Sequence, residues 1–275
     1  MKSKVPAKSL RTLGYRSALI TGTSSGLGLA LARALAEEGL SVTGVGRSAP
    51  PTSPKGYNHL TTDLLKEKEV DQALTEISAS PPDIWINNAG FGLLGGAWTP
   101  DDSAINRQLD LLFRVPVRLS RFFEAICRNR PEQPAYLIQI SSLAVELPIP
   151  GMPYYNAAKS ALSAFSESLL LDGALPFKLI DFRPGDFKTA FMEPDRAQNA
   201  QADSAYWKKL VDRHEQAPEP GKAAACLVRA MRRGHTGTLR SGSFFQSKIA
   251  PLGPRLLRQS WLHACIRRHY DWKLD

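Results

Sequence analysis

The hydrophobic pattern of residues 15–47 predicts a strand, a glycine-rich turn, a helix and a second strand. Residues 18–20, Ala-Leu-Ile, are a short apolar run of the kind that forms a buried parallel strand. The segment after Gly28 is rich in helix-forming residues and ends at Gly39, a residue type that favours a helix C-terminus. A second apolar run covers residues 41–45. Together these elements have the length of a βαβ unit.

The same alternation of short apolar runs and amphipathic segments continues to residue 242. Further strands are predicted at residues 59–64, 84–86, 136–140, 178–182 and 238–242. Helices are predicted at residues 66–79, 101–127, 154–172 and 221–233, with a kink or break at Pro116. Strands that alternate with helices predict the α/β class: a doubly wound, mostly parallel sheet of seven strands with helices on both faces.

Composition and charge limit the function classes. The chain has 275 residues, which suits one large α/β domain, and a net charge of +9 from 35 basic and 26 acidic residues. Basic residues cluster near both ends, which a solvated surface explains without nucleic acid. Three distant cysteines and five scattered histidines indicate neither a disulfide framework nor a metal site. No apolar run could span a membrane and no secretory signal is present, so a reducing cytoplasm is expected.

The turn after the first strand has the composition of a phosphate-binding loop. Gly22, Gly26 and Gly28 lack a β carbon, so a pyrophosphate could approach the backbone N–H groups and the helix N-terminus. An ordinary glycine-rich turn between strand and helix is the alternative. The residues expected to contact a dinucleotide here are Gly22, Thr23, Ser24, Ser25, Gly26, Leu27 and Gly28.

Four motifs together resemble the short-chain dehydrogenase/reductase superfamily, in its compact single-domain branch. They are T-G-x-x-x-G-x-G from Thr21, Asn-Asn-Ala-Gly at 87–90, Y-x-x-x-K from Tyr155 and P-G-x-x-x-T from Pro184. The resemblance covers about residues 16–242 and implies a Rossmann-like fold that binds a nicotinamide dinucleotide. The further cofactor contacts that it implies are Asp63, Leu64, Asn88, Ala89, Gly90, Pro184, Gly185, Phe187 and Thr189.

The end of the second strand bears on the choice of cofactor. In dinucleotide folds an acid at this point binds the ribose 2′-hydroxyl of NAD, whereas a nearby arginine accommodates the 2′-phosphate of NADP. Here Gly46 stands in the place of the acid and Arg47 follows it. The resemblance therefore favours NADP(H) over NAD(H), with an incidental surface arginine as the alternative.

The Y-x-x-x-K motif supplies the candidate chemistry. On a helix, Tyr155 and Lys159 share one face, and Ser142 precedes Tyr155 by thirteen residues. The resemblance implies that Tyr155 is the general acid or base and that Ser142 binds the substrate oxygen. It also implies that Lys159 lowers the pKa of Tyr155 and that Tyr155 and Lys159 contact the cofactor. One position departs from the family: Leu112 replaces an asparagine that usually holds a water.

The predicted function is an NADP(H)-dependent oxidoreductase that interconverts a ketone or aldehyde and an alcohol. Leu112 supports the alternative of a non-catalytic NADPH-binding regulator or scaffold. Binding of nucleic acid or membrane through the basic ends is a third hypothesis. The expected substrate is a small lipophilic or aromatic carbonyl compound, and the resemblance implies a homodimer or homotetramer.

Three regions are expected along the chain. Residues 1–14 are predicted to form a flexible arm, and residues 15–242 the dinucleotide-binding catalytic domain, with a substrate lid at residues 190–220. Residues 243–275 are predicted to form an extension that packs on the same domain or on a partner subunit. Its arginines and partial helical periodicity make attachment to an anionic membrane the less favoured alternative.

Overall fold

A computed structural model describes residues 8–93, 98, 100–189, 191 and 205–272. Within this part of the chain, seven strands form one sheet in the order β3-β2-β1-β4-β5-β6-β7. The strands are β1 Ser17–Thr21, β2 Ser41–Gly46, β3 Tyr57–Thr61, β4 Ile84–Asn87, β5 Tyr136–Ile140, β6 Lys178–Pro184 and β7 Gly237–Ser241. All six neighbouring pairs are parallel, which confirms the predicted fold class.

Helices cover both faces of the sheet, as buried parallel strands require. They are α1 Gly26–Glu37, α2 Glu67–Ala79, α3 Asp102–Leu109, α4 Val115–Arg128, α5 Pro153–Asp172, α6 Ala205–Glu215, α7 Gly221–Arg232, α8 Gly253–Leu256 and α9 Gln259–Tyr270. On one face Leu31 of α1 and Leu227 of α7 pack against the central strands. On the other face Val70 of α2 and Phe123 of α4 do the same. The strand order reverses between β1 and β4, and such a reversal opens a crevice at the carboxyl ends of the strands.

The long helix predicted at residues 101–127 is divided in the structure. Helix α3 ends at Leu109, a π-helical turn covers Asp110–Arg114, and α4 begins at Val115. Pro116 is the second residue of α4 and has no N–H group, so the helical hydrogen-bond ladder that runs on from the π-helical turn is interrupted there. The break was predicted at the proline, but the irregular turn precedes it. Turns of this kind are frequent at functional sites.

Two other expectations differ from the structure. Strand β3 ends at Thr61, so Asp63 lies in the turn before α2, where its N–H donates to Glu69 Oε2 at 2.7 Å. Part of the expected flexible arm is packed: Leu10 is fully buried and its N–H donates to Glu38 Oε2 at 2.8 Å. Residues 1–7 lie outside the described residues, as do 190 and 192–204 of the expected lid.

Candidate active site

The turn between β1 and α1 has the backbone of a phosphate-binding loop. Gly22 and Gly26 have φ angles of +74° and +56°, which residues with side chains rarely adopt. A β carbon at Gly22 would lie 2.8 Å from Ala89 Cα, and one at Gly28 would lie 2.0 Å from the carbonyl oxygen of Gly22. The three glycines are therefore required by geometry. They leave the N-terminus of α1 open to a ligand.

Two adjacent asparagines hold this loop against the sheet. Asn88 Nδ2 donates to the carbonyl oxygens of Thr21 at 2.9 Å and Gly22 at 3.0 Å. Asn87 Nδ2 donates to Gln139 Oε1 at 3.0 Å and to Ser120 Oγ at 3.2 Å. The two side chains therefore have different roles: Asn87 ties β4 to β5 and α4, whereas Asn88 fixes the glycine loop.

Ser142, Tyr155 and Lys159 come together beyond the carboxyl end of β5. All three are buried and line the same cavity. Lys159 Nζ donates to the carbonyl oxygen of Ile140, the last residue of β5, at 2.6 Å. Ser142 Oγ also accepts from the N–H of Ala144 at 3.0 Å. The helical spacing of Tyr155 and Lys159 thus places both side chains beside one strand end.

Burial dominates the electrostatics of this group. It raises the pKa of Tyr155 to about 12, a shift that the nearby Ser142 hydroxyl opposes and the charge of Asp186 increases. Burial lowers the pKa of Lys159 to about 8, which the charge of Asp181 opposes. The expected lowering of the Tyr155 pKa by Lys159 is therefore not seen in the chain itself, where burial decides the direction of the shift. Shifts of this size in a cleft are typical of functional sites.

A buried charge network supports the strand ends beneath these residues. Asp181 of β6 is fully buried and accepts from Ser163 Oγ at 2.7 Å and from Arg183 Nε at 2.8 Å. Ser141 Oγ, next to Ser142, also donates to Asp181. Arg183 reaches Glu146 at 2.5 Å on its other side. The network could not be predicted from the sequence, because Ser141, Ser163 and Glu146 lie 18 to 40 positions from their partners on β6.

One cavity of about 680 Å³ is lined by every residue that the sequence analysis predicted to be catalytic or to contact the cofactor. The glycine loop from Gly22 to Gly28 and Arg47 line one part of it. Asp63, Leu64, Asn88, Ala89, Gly90, Ser142, Tyr155, Lys159, Pro184, Gly185, Phe187 and Thr189 line the rest. The backbone of the loop and the polar side chains beyond β5 thus face a common space. That arrangement can hold a dinucleotide along the strand ends, with its reactive end beside Tyr155.

The cavity has further lining residues that the sequence did not single out individually, although they fall in the expected lid and in the expected C-terminal extension. The ring of Phe191 lies 5.3 Å from the Tyr155 ring, centroid to centroid, and Leu210 of α6 is buried beside it. The segment after β7 contributes Gln246, whose side chain donates to Asp186 at 2.8 Å, and Tyr270 at the end of α9. The partial helical periodicity of this segment was its one sequence signal. It did not indicate which face would meet the cavity.

Leu112 packs against residues that line this cavity. It is fully buried in the π-helical turn and packs in one cluster with Met152, Tyr155 and Leu210. A β carbon at Gly90 would lie 2.7 Å from its Cδ2 atom. The departure from the family pattern therefore puts an apolar side chain next to the candidate catalytic tyrosine. Among the described residues, no group of three or more His, Cys, Asp or Glu side chains could hold a metal ion.

Comparison with known proteins agrees with the fold and with these motifs. The model of the short chain dehydrogenase family matches residues 16–200. The 3-ketodihydrosphingosine reductase of Bacteroides thetaiotaomicron is 28% identical over 258 residues, which cover 89% of this chain and 92% of that protein. The similarity thus extends beyond the matched domain into the C-terminal part of the chain.

Two solved structures show the same fold with different nicotinamide cofactors. The 3-ketoacyl-(acyl-carrier-protein) reductase from Brucella melitensis, complexed with NADH, has a TM-score of 0.69 at 19% identity and covers 82% of this chain and 96% of its own. The gluconate 5-dehydrogenase from Burkholderia cenocepacia, in complex with NADP and tartrate, has a TM-score of 0.68 at 21% identity. The match covers 85% of this chain and 96% of that structure's chain. At these identities the likeness concerns the fold.

Proposed function

Because the chain belongs to the short-chain dehydrogenase family, we propose that it is an NADP(H)-dependent oxidoreductase that interconverts a ketone or aldehyde and an alcohol. The observation that carries the proposal is that the side chains of Ser142 and Tyr155 are buried together in the wall of the cavity that the glycine loop also lines. Lys159 is buried in the same cavity wall. A phenol, a hydroxyl and an amine around one space are the groups that carbonyl reduction requires.

The residues present fit a dinucleotide. The glycine loop excludes side chains where a pyrophosphate would approach, and α1 directs its N-terminal N–H groups there. Asp63 and Leu64 would lie against the adenine, and Pro184 to Thr189 would hold the carboxamide. When bound, the reduced nicotinamide supplies the hydride.

The choice of NADP(H) over NAD(H) rests on the end of β2. Arg47 and Ser48 follow the last residue of this strand, are exposed, and line the cavity. Gly46 offers no carboxylate that would repel a 2′-phosphate, and the Arg47 guanidinium would bind that phosphate through charge-assisted hydrogen bonds.

In the reduction direction Tyr155 would donate its proton to the carbonyl oxygen. Its pKa of about 12 keeps the phenol protonated at neutral pH, as an acid must be. Ser142 would donate a second hydrogen bond to the same oxygen and stabilise the charge that develops on it. Lys159 donates one hydrogen bond to the carbonyl of Ile140 at 2.6 Å, and its other N–H groups would hold the nicotinamide ribose. In the oxidation direction Tyr155 would take the proton from the alcohol.

The proposal is tested by Tyr155→Phe with Tyr154→Phe as the matched control. Tyr154 is the neighbouring tyrosine of α5, and its partner four residues on is Ala158 rather than a lysine. NADPH oxidation is measured with a panel of ketones, and the reverse reaction with the corresponding alcohols. Tyr155→Phe should reduce turnover at least about 1,000-fold while NADPH binding persists, because proton transfer and the carbonyl clamp are both lost.

Two results would overturn this function. Full activity of Tyr155→Phe would refute the assigned acid. Tight NADPH binding by the wild type, with no turnover of any ketone or alcohol in the panels, would favour a regulator or scaffold. Tyr154→Phe should retain wild-type turnover in either direction.

A further inference from the structure

The segment that follows β7, residues 243–272, concentrates the exposed apolar surface of the molecule. Among the described residues ten large hydrophobic side chains are exposed, and seven of them fall between residues 244 and 261. Phe244, Leu256 and Trp261 are 74%, 75% and 68% exposed. Single exposed apolar residues are ordinary, but a cluster of this kind marks a surface that meets an apolar partner. We call residues 243–272 the C-terminal segment.

The charge of the C-terminal segment has one sign over most of its length. From Ser243 to Tyr270 the sequence contains five lysine or arginine residues and no aspartate or glutamate. Lys248, Arg258 and Arg268 are exposed. Exposed aromatic and leucine side chains interspersed with basic residues are the combination by which peripheral proteins bind anionic lipid.

Helix α9 separates the two surfaces of this segment. Leu262, Ile266 and Tyr270 are spaced four residues apart, are partly buried and line the cavity. Trp261 and Arg268 lie two turns apart on another side of the helix and are exposed. The helix therefore presents one face to the cavity and a different face, aromatic and basic, to the outside.

Contacts with the rest of the fold hold the inner side of the segment in place. Arg213 of α6 donates to the carbonyl oxygen of His269 at 3.0 Å, and the rings of Tyr206 and Trp272 meet edge to face at 4.5 Å between centroids. The exposed apolar side chains thus belong to an anchored part of the fold. They form a surface that is organised before any partner binds.

We propose that the C-terminal segment docks the protein on the surface of an anionic lipid membrane. The side chains of Phe244, Leu256 and Trp261 enter the headgroup layer, and the basic residues around them contact lipid phosphates. A second copy of the chain is a poorer occupant, since a symmetric pair would bring five basic residues of each copy toward five of the other. Attachment is peripheral, because none of the helices in the described part of the chain is long and apolar enough to cross a membrane.

The docking surface continues into the cavity. Ile249 and Leu257 are exposed and also line the cavity, so its entrance opens within the apolar patch. If the protein has the proposed reductase function, the substrate is an amphiphilic carbonyl compound that passes from the bilayer into the cavity. Only this step of the inference rests on the proposed function. Its apolar chain would stay in contact with apolar side chains throughout.

The test is co-sedimentation of the full chain with lipid vesicles, which needs no turnover. Vesicles of phosphatidylcholine with about one third phosphatidylglycerol should bind the wild type at least tenfold more tightly than pure phosphatidylcholine, and added salt should weaken the binding. The double variant Leu256→Ser, Trp261→Ser and the double variant Arg258→Glu, Arg268→Glu should each lose at least about tenfold in affinity.

Matched controls separate the patch from general effects of composition. Leu171→Ser removes a leucine that is 85% exposed on α5, and Lys55→Glu with Lys68→Glu reverses two exposed charges elsewhere. Both should bind as the wild type does. The proposal is overturned if the two double variants of the C-terminal segment bind vesicles normally, if neutral and anionic vesicles bind equally, or if the wild type binds neither. Conversion of a dimer to a monomer by these double variants would instead identify a second copy of the chain as the occupant. Vesicle binding is measured without substrate, so a failure of the NADPH oxidation assay would not affect the test of membrane docking.

Discussion

The side chain of Leu112 fills the space in front of Gly90, so that a β carbon added to Gly90 would lie 2.7 Å from the leucine Cδ2 atom. Leu112 is fully buried in the π-helical turn, and Gly90 lines the cavity just after β4. The two residues fit each other sterically: the leucine needs a neighbour without a side chain. This pairing replaces the polar arrangement that the family pattern implies at the same place.

The fit of Leu112 and Gly90 predicts a non-additive pair of substitutions. Gly90→Ala should lower the free energy of unfolding by about 1–3 kcal/mol through overpacking, and Leu112→Ala by about 2–5 kcal/mol through the cavity that it leaves. The double variant should lose clearly less than the sum, because the smaller residue makes room for the added methyl group. Urea denaturation of the four proteins measures this coupling.

A control cycle uses a glycine that has no neighbour. At Gly221 an added β carbon would have nothing within 4 Å, so Gly221→Ala and Leu112→Ala should be additive within about 0.5 kcal/mol. Equal additivity for the Gly90 pair would show that the two residues do not constrain each other.

The buried ammonium of Lys159 predicts a specific dependence of stability on pH. Its pKa is about 8 in the folded chain, below the ordinary value of about 10.4, so the unfolded chain binds more protons between these values. The free energy of unfolding contributed by Lys159 should therefore rise as pH increases from 8 to about 10.4. Relative to Lys159→Met, which does not titrate, the wild type should gain on the order of 3 kcal/mol over this interval.

Denaturation at a series of pH values checks this prediction, in the absence of cofactor. Leu162→Met, one turn further along α5, changes packing without removing a charge, and its curve should run parallel to that of the wild type. A constant difference between wild type and Lys159→Met from pH 8 to 10 would mean that burial does not perturb the lysine.

The strands and helices could be predicted from the sequence because their signals are local. The apolar run at residues 136–140 coincides with β5, and the helix predicted at residues 66–79 differs from α2 by one residue. The glycine loop and the spacing of Tyr155 and Lys159 likewise depend on neighbouring residues. Hydrophobic periodicity and the backbone conformation that a turn requires are enough to predict these elements, because distant parts of the chain do not alter them.

The features of the fold and the site that could not be predicted depend on contacts between residues that are distant along the chain. The sequence does not indicate that Arg183 pairs with Glu146, 37 positions away, or that Tyr270 of α9 would reach the cavity. Leu10 was predicted to lie in a flexible arm, yet Glu38 at the end of α1 binds its N–H group. Such pairings are decided by the packing of the whole fold, which no local pattern records.

The Arg183 network predicts a large cost for a single substitution. Arg183→Met should lower the free energy of unfolding by about 3–5 kcal/mol, because Asp181 would remain buried without its cation. Asp181→Asn in the same chain should recover part of this loss, since it removes the unpaired charge. Arg128→Met breaks the exposed pair with Glu124 and should change stability by less than about 1 kcal/mol. Equal effects of the Arg183 and Arg128 substitutions, measured by urea denaturation, would contradict the network.

The end of β2 predicts that cofactor preference can be exchanged by two substitutions. A β carbon at Gly46 would approach no atom closer than 3.8 Å, so Gly46→Asp fits without displacing the strand, and its carboxylate would bind a ribose 2′-hydroxyl. Arg47→Ala removes the proposed partner of the 2′-phosphate. Together they should lower the ratio of kcat/KM for NADPH to that for NADH by roughly 100-fold, which corresponds to about 3 kcal/mol.

The matched control is Gly221→Asp with Arg121→Ala, an exposed glycine with open space and an exposed arginine outside the cavity, and it should leave the ratio unchanged. A wild type that prefers NADH, or a double variant with an unaltered ratio, would show that Arg47 does not select the cofactor.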